Sequence, residues 1–101
     1  MSHKIIEIIR FYQKKGDKEF YDFKFNNAFK STDTILNADV TTTITPSDVT
    51  HVSAQDAISG LVVQRVFDTT SGVLYKEYLV TVDAKSSSGL EKTLEMVIVV
   101  I

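Results

Sequence analysis

The chain has 101 residues, a formal net charge of −2, and 44% hydrophobic and 24% charged residues. This length fits one domain, and the balance of residue types excludes a disordered or fibrous chain. The sequence contains no cysteine, which excludes disulfide bonds and thiolate chemistry. It has neither an apolar run near the roughly 20 residues that cross a bilayer nor a signal-peptide layout. We therefore expect a soluble, unsecreted protein with no membrane partner.

The charge is unevenly distributed along the chain. Residues 1–30 carry seven Lys or Arg and four Asp or Glu, whereas the remainder carries four and nine. The low net charge argues against nucleic-acid binding, which depends on neutralising phosphates. An ordinary solvated surface would also give such a split. The sharper hypothesis is a homo-oligomer, a head-to-tail ring in which the basic amino-terminal segment contacts the acidic body of the next copy.

The amino-terminal segment has a pattern that fits two structures. Ile5, Ile8 and Tyr12 would share one face of a helix, whereas Ile5, Ile9 and Phe11 would share one face of a strand. Its isoleucine content favours the strand. We assign residues 1–15 to an amino-terminal strand or arm and residues 16–101 to the folded domain.

Short alternating segments, separated by Gly, Ser, Asn and Asp, dominate the rest of the chain and predict an all-β sandwich or barrel. Strands are expected at 21–25, 35–44, 61–67, 73–84 and 90–101, a hairpin loop at 69–72, and further turns at 45–48 and 86–89. The predicted inward-facing residues are Tyr21, Phe23, Phe25, Ala38, Val40, Thr42, Ile44, Tyr78, Val80, Val82 and Ala84. Residues 96–101 are apolar on both faces, so a second sheet, the amino-terminal segment or a neighbouring subunit must cover them.

The sequence offers no grouping of residues that catalysis requires. Its two histidines, His3 and His51, are far apart, and the aspartates match no metal-binding loop. An enzyme would require a cleft with perturbed titratable groups, and Asp39 or Asp56 buried beside another acid would favour that interpretation. We therefore expect no enzyme activity and no catalytic, cofactor-binding or metal-binding residues.

Several short motifs resemble those of one family. They are Lys15-Gly16-Asp17, Tyr21-Asp22-Phe23-Lys24-Phe25, Asp33-Thr34-Ile35, the turn Ser86-Ser87-Ser88-Gly89 and the final valine-rich strand. Together they resemble the bacteriophage fibre–tail adaptor proteins, which are immunoglobulin-like virion domains. The chain departs from that pattern at Phe25, where tryptophan is common, and at Tyr75, where the family often has glycine.

The resemblance implies an all-β, immunoglobulin-like antiparallel β-sandwich of about seven strands. It implies a virion structural protein, made in the bacterial host cytoplasm, that links the tail or neck to fibres or other tail components. Its partners would be other virion proteins and further copies of itself. An edge strand can add a partner's strand or arm, and the basic, isoleucine-rich first 14 residues suit such a contact. The candidate contact residues are Lys4, Ile5, Ile8, Arg10, Tyr12 and Lys14.

Two alternatives keep the same fold. A capsid decoration (cement) protein would attach to the shell, and the sequence does not separate it from an adaptor. A carbohydrate-binding accessory module would expose aromatic rings for stacking on sugars, for which Tyr12, Phe67 and Tyr75 are the candidates.

Overall fold

Eight β-strands form two stacked sheets in the computed structural model, which describes residues 9–101. The strands are β1 (Arg10–Gln13), β2 (Lys18–Lys24), β3 (Ile35–Thr45), β4 (Thr50–His51), β5 (Ala57–Ser59), β6 (Val62–Asp68), β7 (Glu77–Ser86) and β8 (Glu91–Val100). A 3-10 turn at Ser53–Gln55 separates β4 from β5. Among the described residues no helix is long and apolar enough to cross a membrane.

The strand order confirms the immunoglobulin-like sandwich. Sheet A has the order β1-β8-β7-β3, and sheet B has β2-β6-β4 with β5 also pairing with β6. The neighbours β3, β7 and β8 correspond to strands C, F and G of an immunoglobulin constant-type domain, and β2, β6 and β4 to strands B, E and D. The predicted antiparallel pairing holds except at β1, which joins β8 in parallel.

The predicted alternation places the core correctly in most strands. Tyr78, Val80, Val82 and Ala84 are all buried, and so are Phe23 and Phe25 of the β2 region. The exception is Ala38, which was predicted to face inward and is exposed. The register of β3 against β7 shifts between Ile35 and Val40, so a β-bulge disrupts the regular alternation of side chains at Ala38.

The loop at 69–72 was predicted to close a hairpin, and this prediction is wrong. It leads from β6 in sheet B to β7 in sheet A, so the two strands it joins do not pair. Turn residues show where a chain changes direction but not which sheet receives the next strand. The predicted turn at 86–89 does close a hairpin between β7 and β8, with the Gly89 N–H donating to the Ser86 carbonyl at 2.9 Å.

The apolar end of β8 is covered on both faces. Met96, Ile98 and Val100 point into the core, while Val97 and Val99 lie on the outer face of sheet A and are also buried. On that outer face they are flanked by β1 on one side and β7 on the other. The second sheet thus covers the inner face of β8, and β1 and β7 lie beside it within sheet A.

Two motifs behind the family resemblance have structural roles. Phe25 is fully buried and stacks on Phe29 with ring centroids 5.5 Å apart. The Asp33 carboxylate accepts a hydrogen bond from the Lys30 N–H at 3.2 Å and another from the Ser88 hydroxyl at 3.1 Å. Asp33 therefore ties the loop before β3 to the β7–β8 hairpin.

Candidate protein-binding face

The outer face of sheet A, at its β1 side, carries several exposed apolar side chains around a buried centre. We call this surface the Tyr12 face; its residues are Arg10, Tyr12, Tyr75, Leu79 and Ile101, around Val97 and Val99. The strand register sets Tyr12 beside Val99 on β8, and Leu79 beside Val97. Because alternate residues of a strand point to the same face, Arg10, Tyr12 and Leu79 project together to the outside. Tyr75 and Ile101 lie outside the strands, at the end of β8 beside them.

The two tyrosines project furthest. Tyr12 is 66% exposed and Tyr75 is 79% exposed. Tyr75 has a φ of +66°, a conformation that residues other than glycine rarely adopt. Its N–H donates to the Val100 carbonyl at 2.6 Å, which fixes this conformation beside the end of β8.

A hydrogen-bonded ion pair crosses the middle of this face. The Arg10 Nε lies 2.9 Å from the Glu77 Oε1, and since β1 and β7 flank β8, the pair spans the outer side of β8. This bond raises the pKa of the Arg10 guanidinium above its ordinary value. Both side chains are exposed to water, so we assign the pair a role in orienting Arg10 rather than in stability.

Gln13 anchors β1 to the opposite sheet. Its buried side-chain amide donates to the carbonyls of Phe67 and Asp17, each at 2.9 Å, and its Oε1 accepts from the Tyr21 hydroxyl at 2.7 Å. Burial, followed by the charge of Glu19, raises the pKa of Tyr21 to about 12. Because both ends of the Gln13 amide are bonded, β1 is held in place as part of the sandwich.

The structure places the candidate contact residues in two groups. Arg10 and Tyr12 lie on β1 in the Tyr12 face, and Lys14 follows β1 directly and is exposed. Lys4, Ile5 and Ile8 fall outside the described residues. Of the three aromatic residues proposed for sugar stacking, Tyr12 and Tyr75 are exposed.

Phe67, the third of these aromatic residues, is fully buried, so its assignment as an exposed ring is wrong. It belongs to the inward-facing set of β6, where it packs near Tyr21 and Phe23. The apolar run around β6 gave no sign of which face it would occupy.

Sequence reasoning missed a buried polar cluster on the opposite side of the sandwich. Arg65 is 1% exposed and donates to Asn37 Oδ1 at 2.8 Å and Thr42 Oγ1 at 3.2 Å. The Asp56 Oδ1 lies 3.5 Å from the Arg65 Nε and 2.6 Å from the His51 Nε2. Burial lowers the pKa of Arg65, and the charge of Asp56 opposes that effect.

The cluster is not the buried acid–acid pair, with Asp39 or Asp56 as a member, that would favour an enzyme. The neighbours of Asp56 are an arginine and a histidine, and Asp39 is exposed. Every nitrogen of the Arg65 guanidinium has a partner, so the arrangement holds β3 and Asp56, which precedes β5, to β6. The one signal for it in the sequence is a single charge within the apolar run 61–67.

Within residues 9–101 no three His, Asp or Glu side chains come together in a way that could hold a metal ion. The fold and the surface define an immunoglobulin-like β-sandwich with an exposed aromatic sheet face. No protein-family model matches the chain, and comparison with curated proteins gave no significant similarity.

Proposed function

We propose that the chain is a non-enzymatic structural protein of a bacteriophage virion, an adaptor that links the tail or neck to fibres or other tail components through its Tyr12 face. The observation that carries this proposal is the exposure of Arg10, Tyr12 and Leu79 on the outer face of sheet A, with the exposed residues Tyr75 and Ile101 at the adjoining end of β8. The family resemblance of the sequence motifs supplies the virion context.

The composition of this face is that of a protein interface. Tyrosine and arginine are enriched in interface centres because they bury large areas while keeping a polar group available for hydrogen bonds. Tyr12 and Arg10 both project from β1, whose position Gln13 fixes. Leu79 and Ile101 are 36% and 47% exposed, so each has apolar surface left to bury.

A rigid platform suits an adaptor. The Tyr12 face lies on β1, β7 and β8, and nine residues of β7 pair in continuous register with β8. Little main-chain ordering is then needed on binding, which lowers the entropic cost of association. The partner that fits is a virion protein with an apolar surface patch and an acidic group within reach of Lys14.

The test is complementation of a phage from which this gene has been deleted. Particles made with the double variant Tyr12→Ala, Tyr75→Ala should lack the fibres or tail components that the intact protein restores in electron micrographs. The matched control is Leu36→Ala, since Leu36 is 64% exposed but lies in the β3 bulge, away from the Tyr12 face. Fibres restored equally by both variants would reject the Tyr12 face, and complete particles without the gene would reject the adaptor role.

The same electron micrographs distinguish an adaptor from a capsid decoration protein. Gold-labelled protein on the shell rather than on the tail or neck would indicate a decoration protein. The neighbouring genes give an independent check, because portal, tail-tube or fibre genes beside this one are expected for an adaptor.

A second candidate function, carbohydrate binding, is favoured by one observation. Tyr12 and Tyr75 expose their rings at the same end of sheet A, where a sugar could stack on them. A glycan array would test it: saturable binding that is lost in the Tyr12→Ala, Tyr75→Ala variant would favour a sugar-binding module over a protein adaptor.

A further inference from the structure

The strand β2 forms one edge of sheet B. It pairs with β6 on one side, and no strand among residues 9–101 pairs with its other side. Phe20, in the middle of β2, is 66% exposed on the outer face of this sheet. A strand edge that no described residue pairs with, beside an exposed aromatic ring, is a ready site for pairing with another strand.

The hydrogen-bond pattern shows which residues of β2 are available for such pairing. The Thr69 N–H donates to the Asp17 carbonyl at 3.2 Å, and the Phe25 N–H donates to the Leu61 carbonyl at 2.9 Å. In the regular register between β2 and β6, odd-numbered residues from 17 to 25 therefore bond to β6. The main-chain N–H and C=O groups of Lys18, Phe20, Asp22 and Lys24 point to the open edge.

We propose that β2 pairs with β2 of a second copy, antiparallel and about a two-fold axis at Phe20. In this register Phe20 lies opposite Phe20, and Lys18 of each copy lies opposite Asp22 of the other. The outward groups of these residues would form about six hydrogen bonds between the copies. Directly opposite aromatic pairs and opposite-charge pairs both stabilise antiparallel strands.

The charges favour this register over the one with the axis at Tyr21. A two-fold axis at Tyr21 would also bring outward-pointing residues together, but it would place Lys18 opposite Lys24 in both halves of the contact. With the axis at Phe20, Lys24 lies opposite Gly16, which has no side chain. Lysines on a strand edge discourage pairing with other strands. In the Phe20 register each Lys18 lies opposite an Asp22, which compensates its charge.

The strand edges on the other side of the sandwich are irregular and do not favour the addition of another strand. The edge strand β3 contains the bulge between Ile35 and Val40, and the opposite edge of sheet B is interrupted by the turn Ser53–Gln55. Bulges and short strands are common devices that block edge pairing. The regular, seven-residue edge of β2 stands out by contrast.

This contact is independent of the Tyr12 face, which lies on the other sheet. It also differs from the head-to-tail ring suggested by the charge split. A two-fold contact closes at two copies, whereas a head-to-tail contact gives a larger ring or an open chain.

Charge reversal tests the register. Light scattering and sedimentation of the intact protein should show a concentration-dependent dimer. Lys18→Asp and Asp22→Lys should each raise the dimer dissociation constant about tenfold or more, because each places two like-charged pairs in the contact. The double variant K18D/D22K restores opposite charges and should return the constant to within about threefold of the original value. Circular dichroism would show that all variants fold.

Cross-linking tests the position of the axis. The chain has no cysteine, so Phe20→Cys introduces a single thiol. Opposite residues of a hydrogen-bonded pair have Cα atoms about 5.5 Å apart, within the range of a disulfide. In the control Lys24→Cys the two thiols would lie about eight residues, or roughly 26 Å, apart along the strand direction. Mild oxidation should therefore join F20C and not K24C.

Three results would overturn the proposal. They are a monomer at every concentration, a ring of higher mass, and equal cross-linking of the two cysteine variants. If the dimer of the K18D/D22K variant dissociates as readily as the dimers of the single variants, the proposed register is rejected.

Discussion

The Tyr78 hydroxyl accepts a hydrogen bond at 2.9 Å from the main-chain N–H of Val73, five residues upstream. Tyr78 stands at the start of β7, after the crossing from sheet B to sheet A, which is the position of the tyrosine corner in immunoglobulin-like domains. The same hydroxyl donates to the Asp48 carboxylate at 3.1 Å. One buried phenol therefore fastens two connecting loops at this end of the sandwich.

Replacing Tyr78 with phenylalanine should destabilise the fold by about 1–3 kcal/mol, because the Val73 N–H and Asp48 both lose a partner. Urea unfolding measures the loss. Tyr12→Phe is the matched control, since Tyr12 is exposed, and its free energy of unfolding should stay within about 0.5 kcal/mol of the original. Equal losses in the two variants would mean that the corner does not contribute to stability.

The conformation of Tyr75 predicts an unusual response to glycine. The left-handed backbone costs an L-residue about 1–2 kcal/mol, and glycine avoids most of that cost while adding entropy to the unfolded chain. Tyr75→Gly should therefore be more stable than Tyr75→Ala by about 1 kcal/mol, although both lack the exposed ring. Thermal unfolding of the pair makes the comparison. A less stable glycine variant would indicate that the φ of +66° does not cost energy here.

The sequence was most informative where alternation alone decides burial. In β7 four alternating residues from Tyr78 to Ala84 were predicted to face inward, and all four are buried. A strand with apolar residues on one face and polar residues on the other has one favourable orientation. The fold class follows from several such strands and from their spacing.

Other features depend on contacts that a sequence does not display. The inward position of Ala38 failed because a bulge shifts the register of β3, and the hairpin at 69–72 failed because the next strand enters the other sheet. Arg65 could not be recognised as buried, since its partners Asn37 and Asp56 are distant in the chain. The Tyr12 face was found only in part, because Arg10 and Tyr12 were chosen for charge and position, without knowledge of β8.

Tyr21 should make the stability of the protein sensitive to alkaline pH. The phenol has a pKa of about 12 in the folded protein and 10.0 as its ordinary value. Between these values the unfolded chain loses the proton while the folded chain keeps it, so stability falls as pH rises from 10 to 12. Because the side chain is only half-buried, solvent screening weakens this effect, and the free energy of unfolding should fall by about 1 kcal/mol.

The variant Tyr21→Phe isolates this effect from the titration of other groups. At neutral pH it should be less stable by about 1 kcal/mol, since the Gln13 side chain loses a hydrogen bond. Urea unfolding of both proteins at several pH values would show the difference between them shrinking from pH 10 to 12. A constant difference across that range would contradict the assignment of the raised pKa to Tyr21.

The Arg65 cluster should behave as a coupled pair in a double-mutant cycle. Arg65→Met removes the positive charge beside Asp56 and leaves Asn37 and Thr42 without their donor, so we expect a loss of about 3–5 kcal/mol in the free energy of unfolding. A large part of that cost comes from the carboxylate that stays behind, largely buried and without its guanidinium partner. Adding Asp56→Asn to Arg65→Met should therefore recover about 1 kcal/mol or more, although Asp56→Asn alone destabilises the protein. Urea unfolding of the four proteins closes the cycle, and additive losses would show that the 3.5 Å contact between Arg65 and Asp56 carries no coupling energy.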